Sequence, residues 1–197
     1  MAVLLNAPDS GAFVVERGNL ADLELSSRPR EHVVPDDAAK QTVVDAYEQG
    51  AQLAALDNRY VKLAELSMQM VGLELARNVM PGEHAAFCVP VQVASGSKVN
   101  PGAVLVLEHR VVIAWSEGVL RPKPHSVAYE LSDVGDVRSF TRKVGRVSAE
   151  LDAISFVAHD STVEIVFHSE VSHERVTPTV HGVLNGGVTY NWNEQAT

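Results

Sequence analysis

Apolar and polar positions change their period twice along this chain. Up to residue 35, short apolar clusters (Val3 to Leu5, Phe13 to Val15) are separated by Pro, Ser, Gly and charged residues, which predicts an irregular arm with one short strand at most. A helical region follows over residues 36–80. Pro35, Asp36 and Asp37 mark its start, with acidic residues placed near the positive end of the helix dipole. No proline interrupts the chain from there to Val79, and Ala, Leu, Glu, Gln and Met, all good helix formers, dominate. Leu53, Leu56, Tyr60, Leu63, Leu66, Met70 and Leu73 recur at three- and four-residue intervals and trace one face. Met80-Pro81-Gly82 ends the region, and Gly50 and Asp57-Asn58 are the places where it could break, so one long helix and two shorter ones both fit. The 53–73 stripe needs a cover, either the C-terminal half of the same chain or a second copy in a homodimer.

After Gly82 the period falls to two. Phe87, Val89, Val91 and Val93 alternate, with Pro90 predicting an edge strand or a bulge, and residues 95–102 read as a loop. Strands are expected over 103–107 and 111–115, then around Val127, Tyr129 and Leu131, and again over 137–142. Ile154, Phe156 and Ala158 lead through His159-Asp160-Ser161-Thr162 into Val163, Ile165 and Phe167 as a hairpin. Thr177-Pro178 resembles a helix start and Asn185-Gly186 its stop, predicting a short closing helix. The 103–107 and 111–115 runs do not alternate; they are apolar on both faces, so each needs cover on both sides. One cover is the interior of a barrel, and the other is either the helical region folded back on the outer surface or a second subunit. Glu108, His109 and Arg110 between the runs read as an exposed corner. Without Gly, Asn or Asp, a two-residue primed turn is disfavoured there, and a longer or bulged loop is expected.

Composition narrows the class of partner. The 197 residues are 46% hydrophobic, enough for a sizeable core. A net charge of −9 argues against nucleic acid, whose binding depends on Lys and Arg at phosphates, and against general adsorption to anionic membranes. The one cysteine, Cys88 in AFCVPV, excludes an internal disulfide and reads as a buried small hydrophobe. The N-terminus lacks a basic n-region and a long apolar stretch, and no run approaches a membrane span, so a cytoplasmic location is expected. Heavy use of Ala and Val, with Arg preferred over Lys, points to a bacterial or phage genome rich in GC.

One resemblance adds to these readings. The Pro81-Gly82-Glu83 lead-in, a strand, an apolar hairpin with a basic residue after its turn, Gly118 and the strand VAYELSDV together resemble bacterial pleckstrin-homology-like domains, over roughly residues 80–187. The resemblance implies a partly open antiparallel barrel plugged by a C-terminal helix. Where many such domains carry a Thr-Asp-Arg-Arg-like corner, this chain has Glu108, His109, Arg110 and Val111. The expected organisation is therefore α+β: an arm (1–35), a helical region (36–80) packed on a split β-barrel of about seven strands with a short closing helix (81–188), and a tail (189–197).

Motifs for catalysis are missing: there is no Gly-x-Ser-x-Gly elbow, P-loop, His-Glu-x-x-His or dinucleotide Gly-x-Gly-x-x-Gly. His159, His168, His173 and His181 crowd the C-terminal part, but His168 has the opposite pleat phase to its neighbours and His159 lies in a turn. They are expected to be solvated or singly bonded, and no catalytic set, metal or cofactor is expected. Arg121, Lys123, Arg138, Arg142, Lys143 and Arg146 stand against Glu130, Asp133 and Asp136, a local excess of three positive charges (6 − 3) in an acidic chain. In eukaryotic pleckstrin-homology domains basic loop residues hold phosphoinositide headgroups, so the resemblance implies an anionic ligand for this set. The leading expectation is a non-catalytic module that binds a protein or peptide, with a homo-oligomer through the 53–73 stripe as one form of it. Binding of a membrane surface or a phosphorylated ligand through the basic set is the alternative.

Overall fold

The computed structural model describes residues 34–54, 58–95, 98–118, 121–144, 149–158, 161–167 and 170–184. The expected arm up to residue 33 and the tail lie outside the described residues. The helical region forms two helices, α1 (Asp37–Ala54) and α2 (Asn58–Ala76), divided next to the Asp57-Asn58 pair. The start is the one the acidic pair predicts. Asp36 accepts a hydrogen bond from the Ala39 N–H at 2.7 Å, satisfying one of the four donors that a helix leaves open at its beginning. Exposed Asp37 pairs with Lys40 at 2.8 Å, and the hydrogen bond and charge of that lysine hold its carboxyl below the usual range. Gly50 does not break α1. It is the point at which the helix touches the sheet, because a Cβ there would lie 1.9 Å from the carbonyl oxygen of Cys88.

Seven strands follow: β1 (Ala85–Ser95), β2 (Lys98–Leu107), β3 (Arg110–Glu117), β4 (Lys123–Glu130), β5 (Val134–Val144), β6 (Ala149–Ala158) and β7 (Ser161–Val166). A 3-10 turn (Leu131–Asp133) joins β4 to β5, and helix α3 (Glu170–Leu184) comes last. The strands make one antiparallel sheet, ordered β4-β3-β2-β1-β7-β6-β5 and curled into a half-barrel. This is the α+β arrangement expected from the sequence.

The sheet has a core on each face, as the non-alternating runs require. On the inner face Phe87, Val89, Val104, Val106, Val111, Ile113, Phe156 and Ile165 pack together, and Val176 and Val180 of α3 close over them. On the outer face Leu105, Leu107, Val112 and Ala114 are covered by Ala39, Val43 and Ala46 of α1 and by Val71 and Leu75 of α2. Fully burying a Leu or Val contributes about 1.5–3 kcal/mol, so Leu105, Leu107 and Val112 alone tie the helices to the sheet by several kcal/mol. Cys88 belongs to this outer core, and burial pushes its thiol pKa up.

Several expectations are corrected. Pro90 lies in β1, a central strand between β2 and β7, not an edge. A strand residue directs its N–H to one neighbour only, and among the described residues β7 pairs with β1 only at Gln92 and Val93. The expected loop over 95–102 is mostly strand, since β2 begins at Lys98, paired with Ser95. Its Pro101-Gly102 looks like turn chemistry, but Gly102 serves close packing: a Cβ there would meet the Ala114 carbonyl oxygen at 2.4 Å and Val93 Cγ2 at 2.9 Å. The fourth to sixth strands extend beyond the short runs predicted for them. The closing helix starts at Glu170, well before Thr177, and contains Pro178. Thr177 is buried within the helix and does not cap it, whereas Pro178 is exposed.

Candidate interaction surface

The Glu108–Arg110 corner resolves into two exposed residues and one buried one. Glu108 and His109 are exposed, with 3.7 Å between imidazole and carboxylate. Only Glu108 and His109 separate β2 from β3, although the recorded pairing of the two strands stops one step earlier, at Val106 and Val111. Arg110, read from sequence as part of the exposed corner, is only 3% exposed. Its guanidinium clasps the Glu83 carboxylate through both Nε (2.8 Å to Oε1) and Nη2, and Nη2 also donates to the Asn78 carbonyl just past α2. The arginine thus satisfies a carbonyl left open at the negative end of a helix while completing a bidentate pair.

Around this clasp a polar network fastens α2 to the sheet edge. Ser126 of β4 donates to Glu74 at 2.7 Å, Asn78 Nδ2 donates to Ser126 at 3.1 Å, and Arg77 donates to Glu74 at 2.9 Å. Burial by itself would raise the Glu83 pKa. The Arg110 hydrogen bonds, the Met80 N–H and the Arg110 charge outweigh it and hold the carboxyl below its ordinary value. The hydrogen bond to Glu83 in turn holds the Arg110 guanidinium firmly protonated. Apart from Arg77 Nε, which is buried without a hydrogen-bond partner among the described residues, the polar groups named here bond one another, which is the arrangement of a fastening. Inside the half-barrel, Trp115 stacks on His125 of β4 with ring centroids 5.5 Å apart and 22° between the planes.

The leucines of the stripe from Leu63 to Leu73 are not covered by the sheet, the first of the two covers expected for them. α2 packs on the outer core through Val71, Leu75 and Ala76, with Ala64 and Ser67 buried on the same side of the helix. Leu63, Leu66 and Leu73 are exposed, at 46%, 41% and 60%, while half-buried Met70, between them along the helix, packs against the outer core. At about 100° per residue, Leu63, Leu66, Met70 and Leu73 fall within about 80° of one another and about 120° round from the buried line. Val44 of α1 is also exposed. Leu53 and Leu56 lie where no side chain is described.

The basic set is spread over two strands. Lys123 opens β4, paired with Glu117, and Arg121 precedes it, both exposed. Arg138, Arg142 and Lys143 lie on β5, at the other end of the strand order. Arg138 and Arg142 share one face of β5 and Lys143 takes the other. Arg142 is half-buried in an ion pair with Glu164, whereas Arg138 and Lys143 are exposed. Arg146 lies outside the described residues. Among the described residues no three His, Cys, Asp or Glu side chains are grouped to hold a metal, and no helix is long and apolar enough to cross a membrane. His159 and His168 lie outside the described residues, and His173 and His181 fall on α3.

No protein-family model and no curated protein matches the sequence. Solved structures with a similar backbone include the C-terminal domain of an unknown protein from Leishmania infantum, at 14% identity over 61% of this chain and 96% of that one, with a TM-score of 0.38. Another is the Vps36 N-terminal PH domain, at 14% identity over 55% of this chain and 83% of that one, with a TM-score of 0.40. A third is the ternary complex between human RhoA, its inhibitor and the DH/PH domain of human ARHGEF11. It matches at 15% identity over 78% of this chain and 41% of that one, with a TM-score of 0.42.

Proposed function

We propose that this chain is a non-catalytic interaction module of pleckstrin-homology-like architecture that engages a protein or peptide partner through its helical layer, in the cytoplasm. The exposed leucine line of α2 carries the reading. Three leucines in register on one helix, on the side away from the sheet, make an apolar patch of the kind that marks protein contacts in otherwise well-packed domains. The groups best placed for chemistry are engaged elsewhere: Glu83 and Arg110 hold each other, and Cys88 is buried with its thiol pKa raised, the reverse of an activated nucleophile. Leu66→Asp puts a charge in the centre of the line at an exposed position, so fold and melting temperature should be kept while partner capture is lost. Unchanged capture by a folded Leu66→Asp protein counts against the reading.

Exposed Arg138 and Lys143 on the edge strand β5 support a second reading, in which the basic set meets an anionic membrane surface or a phosphorylated ligand. It predicts sedimentation with anionic liposomes at low salt, weakened by salt and by charge reversal at Arg138 and Lys143. Absence of binding at low salt removes it.

A further inference from the structure

We draw no further inference here: the strongest candidate, the exposed face of α2 that carries Leu63, Leu66 and Leu73, supports none, because nothing in the structure shows what covers it.

Discussion

Gly50→Ala and Gly72→Ala make the same chemical change in two neighbouring helices, and they are expected to move stability in opposite directions. In a helix interior alanine is favoured over glycine by about 1 kcal/mol, and that gain is available at both sites. At Gly72 of α2 a Cβ would meet nothing within 4 Å, so the gain should be realised in full. At Gly50 of α1 the new carbon would lie 1.9 Å from the carbonyl oxygen of Cys88, 2.5 Å from its carbonyl carbon and 3.1 Å from its nitrogen. All three are backbone atoms of a strand held in register by its pairing with β2, so no side chain can swing aside. The helix itself has to lift by more than about 1 Å, loosening the close seam that Ala39, Val43 and Ala46 make with the sheet. Overpacking of this kind costs about 1–3 kcal/mol and sometimes more, enough to reverse the propensity gain. Gly72→Ala should therefore raise the melting temperature by about 2–4 °C, and Gly50→Ala should lower it by roughly twice that. Urea and thermal unfolding followed by far-UV circular dichroism measures both. If Gly50→Ala is as stable as the parent, α1 does not seat on Cys88 as described; if Gly72→Ala is equally damaging, the open space beside α2 is not there.

Three further outcomes follow from the buried groups. Arg110→Met leaves the Glu83 carboxylate and the Asn78 carbonyl without their partner and should cost about 3–5 kcal/mol in urea unfolding. Adding Glu83→Leu should recover much of that loss, and strictly additive effects in the double-mutant cycle would show that the pair is not coupled. Because the folded-state pKa of Glu83 is depressed, its contribution is present above the unfolded value of about 4.3 and is lost as pH falls through the folded value. Unfolding midpoints measured from pH 6 to about pH 3 should therefore fall towards acid less steeply in Arg110→Met than in the parent; parallel curves would remove Glu83 as the titrating group. Cys88, fully buried with a raised thiol pKa, should react with a thiol reagent only as the protein opens, at a rate that rises with urea, and rapid labelling of the native protein would contradict its place in the outer core.

Periodicity and end signals carried much of the architecture. The first helix begins where Pro35, Asp36 and Asp37 mark its start, and the two-sided apolar runs around 103–107 and 111–115 required a second layer that α1 and α2 supply. These features are local, or follow from counting the faces an apolar strand must hide. Which side of α2 turns inward was not legible, since the leucine line and the Ala64, Ser67, Val71 line share one helical period. The inward line carries Val71 and Leu75 as well as Ala64 and Ser67, so neither size nor hydrophobicity picks it out; what decides is which residues reach the outer core once the helices lie close on the sheet. The same close approach explains Gly50 and Gly102, whose need for glycine comes from an opposing backbone and not from a turn. From sequence Arg110 belongs to an exposed corner, because its partners, the Glu83 carboxylate and the Asn78 carbonyl, are distant along the chain and meet it only once the sheet and α2 have assembled. A charged side chain is buried when folding brings its counter-charge to it, and that meeting is a property of the tertiary structure alone.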